Sequence, residues 1–200
     1  MTKAANGRLV LVRHGESDGN RDRRFTTSPA VGLTELGRSQ ALKAAGTIAE
    51  LFRPRLIMTS HYTRACQTAD IIARRTGLAI EICAELRERS FGVLAGHPYE
   101  LAMQMAAASG SEPRLWKPPG GESLDEVRRR VLPAIERIAL RFPADDVAVV
   151  SHGEVMMSLW WHLSGDLAGA PHPANGTIFV LEHSAGRFLA PRLIADGASS

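Results

Sequence analysis

Two cysteines, Cys66 and Cys83, are all that the 200 residues carry. They are too few for a disulfide framework and give no metal-binding spacing, so a reducing, cytoplasmic setting is the expectation. No apolar stretch approaches the roughly 20 residues that span a bilayer, so no membrane partner is expected. Met1 to Gly7 lacks the apolar segment of a secretory signal. Aromatic residues are scarce, and none is interleaved with the densest basic run, Arg128-Arg129-Arg130. That run reads as the solvated face of a helix rather than a nucleic-acid surface. Charge of either sign is nearly cancelled, 24 Lys+Arg against 21 Asp+Glu for a net +3, which suits a phosphorylated ligand without identifying one. No carboxylate cluster suited to magnesium stands out, so neither metal nor cofactor is expected.

What is present is an alternation of strands and helices. Arg8–Arg13, Arg55–Thr59, Ala79–Cys83 and Val147–Val150 are short apolar runs that read as buried strands, with closing strands over Gly176–Glu182 and Arg187–Ile194. Helical periodicity follows Thr34 to about Phe52, runs from Ser60 to Gly77, and returns over Glu122–Arg141 and after His152. This alternation predicts an α/β fold, a three-layer α/β/α sandwich with a mostly parallel sheet, in one domain over 1–200. Gly19–Gly32 reads as a polar loop. Gly96–Gly121 reads as an irregular insertion or lid over the site, its alternative being surface decoration without a ligand role.

Three strand ends carry polar groups of one kind. The first runs into Arg13-His14-Gly15-Glu16-Ser17, the second into Ser60 with Arg64 one turn later, and the fourth into Ser151-His152-Gly153. In a parallel sheet these ends share one edge, where ligands of open α/β folds collect. Two arginines and two histidines brought together repel one another unless an anion lies between them, and a phosphoryl group supplies that charge. The five remaining histidines, His61, His97, His162, His172 and His183, read as structural or exposed, and Trp160-Trp161 reads as core packing.

The motifs occur in an order that resembles the histidine phosphatase superfamily, in its phosphoglycerate-mutase-like branch. They are Arg13–Ser17 with Asn20, Leu33-Thr34-Glu35-Leu36-Gly37 with Gln40-Ala41, and Ser60-x-x-x-Arg64-Ala65-x-Gln67-Thr68-Ala69. Leu86 to Gly92, Gly121-Glu122-Ser123 and Ser151-His152-Gly153 follow. The resemblance implies a phosphoglycerate mutase-like fold and a nucleophile, His14, that is transiently phosphorylated. It implies phosphoryl-binding roles for Arg13, Arg64 and His152, and an acid–base role for Glu88. Asn20 and Thr26 match substrate-phosphate contacts, and Ser17 and Gly153 complete the substrate-binding set.

Departures from the mutase pattern separate two reactions. Phe91 and Tyr99 stand where mutases carry tyrosine and lysine, Glu154 replaces an asparagine, and the insertion offers only the isolated Arg114 in place of a paired-arginine clamp. These differences favour a metal-independent phosphomonoesterase over a phosphoglycerate mutase-like phosphotransferase. A non-catalytic phospholigand-binding protein is the third reading. The expected partner is a phosphorylated small molecule, with a phosphoprotein as a second option and a homodimer through the exposed closing strands as a third interaction. Specificity is expected in 96–121 and 20–32, where Phe25, Met103, Met105, Trp116 and Lys117 are candidates.

Overall fold

Four apolar runs pair side by side as the parallel part of one sheet. The computed structural model describes residues 6–26, 28–184 and 187–194. In it β1 (Gly7–Arg13) lies between β4 (Asp146–Ser151) and β5 (Ile178–Ser184). β2 (Pro54–Thr59) pairs with β4, and β3 (Ile80–Ile82) closes that edge; all four of β3, β2, β4 and β1 run parallel.

The central strands are continuously apolar through Leu9–Val12 and Val147–Val150 because both faces are covered. Val10, Val12, Ala148 and Val150 pack against α2 (Glu35–Leu51) and α3 (Thr63–Thr76) through Ala44, Ile48, Ala65, Ala69 and Ile72. Leu9, Leu11, Val147 and Val149 face α5 (Leu124–Arg141) and α6 (Gly153–Ser164) through Val127, Ile135, Val155 and Met156. Each Val, Leu, Ile or Met among them, taken fully out of water, contributes about 1.5–3 kcal/mol before entropy is counted. The sheet therefore holds the C-terminal ends of β1, β2 and β4 at one edge.

The other side of the sheet is antiparallel. β5, β6 (Arg187–Phe188) and β7 (Arg192–Ile194) all run against their neighbours. After α6 the chain returns along 165–177 to the edge where β1 ends, and Gly176 N–H donates to the Arg13 carbonyl there. β5 thus sets out from the site edge and runs back. The single strand expected over 187–194 is two short ones, separated at Pro191, which has no N–H to donate.

Two further expectations change. The segment 96–121 holds a regular helix, α4 (Tyr99–Ser109), started after Pro98 and stopped by Gly110 in the left-handed conformation. Leu, Met and Ala between these punctuators are strong helix formers. None of its residues is buried. The polar loop after β1 likewise contains a single turn, α1 (Asp18–Arg21), where Asn20 Oδ1 accepts from the Ser17 N–H at 3.2 Å.

Candidate active site

The loop after β1 is held by a backbone crossing that only glycine permits. A Cβ on Gly15 would lie 2.0 Å from the Gly37 carbonyl oxygen, and one on Gly37 would lie 2.0 Å from that of Glu16. Side chains then lock the crossing. Thr34 Oγ1 donates to Glu16 Oε1 at 2.8 Å, Gln40 Oε1 accepts from the Glu16 N–H, and Thr68 Oγ1 accepts from the Gly15 N–H. Gln67 Oε1 accepts from the Leu33 N–H. The polar residues of these motifs thus fix the loop that presents His14.

His14 is buried, and two contacts set its tautomer. Nδ1 lies 2.6 Å from the Gly15 carbonyl oxygen, which can only accept, so Nδ1 carries the proton. The Arg64 Nε–H donates to His14 Nε2 at 3.1 Å, so Nε2 offers a lone pair. Burial holds the imidazole well below its ordinary pKa of 6.5, and the cations Arg64 and Arg13 push it in the same direction. His152, at the start of α6, is completely buried with its ring centroid 5.0 Å from that of His14. Its pKa is also well below 6.5, through burial first and then His14, Arg64 and Arg13.

Around these rings lie buried polar atoms with no protein partner: Arg13 Nε, Arg64 Nη1 and His152 Nδ1. His152 Nε2 is 2.7 Å from Ser60 Oγ; if that hydroxyl donates, Nδ1 is a protonated, orphaned donor. Gly153 lies against Arg13, where a Cβ would meet Nε at an ordinary contact distance of 3.4 Å. The α6 N-terminus begins at the same place and adds a partial positive charge. Tyr62, which sequence reasoning passed over, underlies the cradle with its ring 4.9 Å from the Arg64 guanidinium and 5.2 Å from the His152 ring.

Glu88 lines the same pocket. Burial raises its carboxyl above the ordinary 4.5, and Glu154 raises it further, against the opposing pull of the Arg89 N–H, Arg64 and Arg13. Its loop is clamped from behind by Glu122. That carboxylate accepts both Arg87 nitrogens at 2.8 and 2.9 Å, Arg130 at 3.0 and 3.1 Å, and the Ser90 N–H at 2.9 Å. These partners hold Glu122 down to about 2 despite burial. Arg130 also donates to the Arg87 carbonyl at 3.0 Å. The basic run is therefore split: Arg128 and Arg129 pair with Asp125, whereas Arg130 turns inward, correcting the expectation of a wholly solvated face.

The pocket, about 460 Å³, brings Ser17, Asn20, Thr26 and Gly153 together with Arg13, His14, Arg64 and Glu88. Of the specificity candidates, Phe25, Met103 and Trp116 line it; Met105 and Lys117 do not, and Lys117 pairs with Glu126 instead. His172, read as structural or exposed, is exposed and reaches the rim, because the returning loop 165–177 passes there. The same loop supplies Asn175, whose Nδ2 donates to the His14 carbonyl at 3.0 Å. No motif marked either residue; only the antiparallel return of the chain places them. Trp160 packs on the core beside Phe179, but Trp161 is half-buried under the Arg114 guanidinium.

A family model for the histidine phosphatase superfamily (branch 1) matches residues 9–195. Phosphoglycerate mutase-like protein 4 of Arabidopsis thaliana is 34% identical over 158 residues, covering 76% of this chain and 69% of that protein. A bifunctional protein of Mycobacterium tuberculosis is 31% identical over 96% of this chain but only 52% of its own length, so the chain spans about half of that relative. The solved mycobacterial glucosyl-3-phosphoglycerate phosphatase, in complex with VO3, superposes with a TM-score of 0.81 at 30% identity, covering 96% of this chain and 99% of that one.

Proposed function

This chain belongs to branch 1 of the histidine phosphatase superfamily and is a phosphatase of that family; from that premise we propose that it hydrolyses a phosphomonoester through a phosphohistidine on His14, without a metal. The observation that carries the reading is the set of orphaned buried donors around an imidazole whose unprotonated nitrogen, Nε2, is set by its neighbours. Each buried polar group left without a partner costs about 1–3 kcal/mol, and a phosphoryl dianion relieves several at once.

In the first half-reaction His14 Nε2 attacks phosphorus, the N–P bond forms and the ester P–O bond breaks. Glu88, raised towards its protonated form, gives its proton to the departing alkoxide. In the second, the Glu88 carboxylate takes a proton from water, whose oxygen attacks phosphorus while the N–P bond breaks. Arg13 and Arg64 neutralise the equatorial oxygens in both steps, the charge work that a cation performs elsewhere, and His152 Nδ1 donates a hydrogen bond to them. Asn20, Ser17, Thr26 and Gly153 shape the substrate side. A returning phosphoryl transfer of the mutase type needs a second anion clamp, and Arg114 in the insertion pairs with Glu112 rather than entering the pocket.

We read 1–200 as one domain with 96–121 as its lid. A phosphorylated small molecule is the substrate, with phosphoproteins and pairing of two copies along the closing strands as further proposals. Among the described residues no helix is long and apolar enough to cross a membrane. Both cysteines are free thiols, which supports the cytoplasmic reading. Replacing His14 with Ala should lower phosphate release from an aryl phosphate at least about a thousandfold. Activity should also survive exhaustive chelation. Wild-type turnover by the variant, or a collapse on chelation that magnesium or zinc reverses, would overturn the assignment.

A further inference from the structure

Beyond the phosphate cradle, the pocket offers a substrate few usable charges and much apolar surface. Arg23 is engaged by Glu100 at 2.6 Å, and Arg24 donates to the Gly96 carbonyl at 3.0 Å beside Asp22. Arg89, almost fully buried, spends its guanidinium on Glu154 at 3.0 Å, the Glu122 carbonyl at 2.7 Å and the Trp116 carbonyl at 3.1 Å. Glu154 itself lines the pocket, so the Arg89–Glu154 pair presents no net positive charge there. His172 stands exposed at the rim.

The facing wall is aromatic. Phe25 sits between Phe91 and Tyr99, at centroid distances of 3.9 and 4.7 Å. Tyr99, Ala102 and Met103 fall at helical spacing on one face of α4 and so line the pocket together. Trp116 is held at the margin by Arg89, whose guanidinium lies 5.5 Å from its ring. Such a wall gains free energy from covering an apolar ring. A second carboxylate or phosphate brought against it would lose water, and the exposed Arg23 and Arg24 on that side are already bonded to Glu100 and to the Gly96 carbonyl.

We propose that the site selects phosphomonoesters of uncharged, ring-bearing or otherwise apolar alcohols over esters that carry a second anionic group. The inference rests on the phosphohistidine reading and names the substrate class of that same pocket. It sets this chain apart from a relative whose name specifies glucosyl-3-phosphoglycerate, which carries a carboxylate.

The test compares 2-phenylethyl phosphate with 3-phosphoglycerate, both esters of aliphatic alcohols, by kcat/KM and by phosphohistidine formed on rapid alkaline quenching. The wild-type protein should favour phenylethyl phosphate by at least about tenfold, within the range that one apolar group commands in a pocket. Met103→Lys, at a position that is 60% exposed and tolerant of charge, should shrink that ratio several-fold by supplying the missing cation. Trp116→Ala should shrink it by removing apolar cover. Equal or better use of 3-phosphoglycerate, with phosphohistidine formed from both esters, overturns the substrate class and leaves the mechanism standing. Absence of phosphohistidine from every ester overturns the mechanism and this proposal with it. A ratio that neither variant moves assigns the preference to other groups and also overturns it.

Discussion

The floor of the pocket and its mouth are built by opposite means. On the floor, His14, Arg64, Ser60, Ser151 and His152 are at most 3% exposed; Arg64 stands in the first turn of α3 and the others at the ends of strands packed on both faces. At the mouth, α4 buries no residue at all, and Met103 is 60% exposed. A group that must meet phosphorus to within a fraction of an ångström needs the rigid support. Groups that only select among alcohols tolerate a peripheral helix, which can change without disturbing the chemistry.

That contrast predicts graded losses. Arg64→Ala removes both the donor to His14 Nε2 and an orphaned donor of the cradle. It should cost about 10²–10³ in kcat/KM for every ester, whatever the alcohol, as measured by steady-state phosphate release. A loss confined to one alcohol would move Arg64 from the floor to the mouth.

Glu88→Gln should cost about a hundredfold with alkyl esters and much less in phosphohistidine formation from p-nitrophenyl phosphate, whose leaving group needs no proton. The pH profile follows from the two shifted groups. His14, held well below 6.5, stays an unprotonated nucleophile into acid. Glu88, raised above 4.5, loses its proton as pH climbs past its shifted value, so kcat/KM for alkyl esters should fall on the alkaline side. The Gln variant should lack that alkaline limb. A profile identical to wild type would remove Glu88 from the proton path.

Glu122 touches no candidate substrate position, yet it ties Arg87, Arg130 and Ser90 around the Glu88 loop. Glu122→Gln should lower kcat by about tenfold and melt earlier, with a stability loss on the order of 2–3 kcal/mol at neutral pH. Because its carboxyl is held down to about 2 in the folded protein, its contribution is present above the ordinary 4.5. That contribution is lost as pH falls from there towards 2. Denaturation curves of wild type and variant should therefore converge in acid; a constant gap would assign the effect to packing instead. The smallest effect concerns motion: amides in 99–109 should exchange with solvent faster than those of β1 and β4, as hydrogen exchange by mass spectrometry reads out.

The floor was legible in the sequence because its parts obey local rules. Strand ends, N-caps and glycines at a forced crossing all leave marks within a few residues of one another. Arg13, His14, Arg64 and His152 could be placed on one edge from the parallel order alone. Asn175 and His172 could not, since they depend on a return path that makes β5 antiparallel. Arg130 looked like one of three solvated arginines because the Glu122 carboxylate that draws it inward lies eight residues away in sequence. The α4 helix was missed because its Met and Ala residues show no amphipathic period when nothing buries them, although Pro98 and Gly110 bracketed it.

The central claim is that one buried imidazole accepts the phosphoryl group. Rapid mixing with a phosphorus-labelled ester, alkaline quenching and peptide mapping by mass spectrometry test it directly. The account predicts an acid-labile, alkali-stable phosphoryl group on His14 that turns over with phosphate release and is missing after His14→Ala. Turnover with no labelled peptide, or with the label on any other residue, would contradict it.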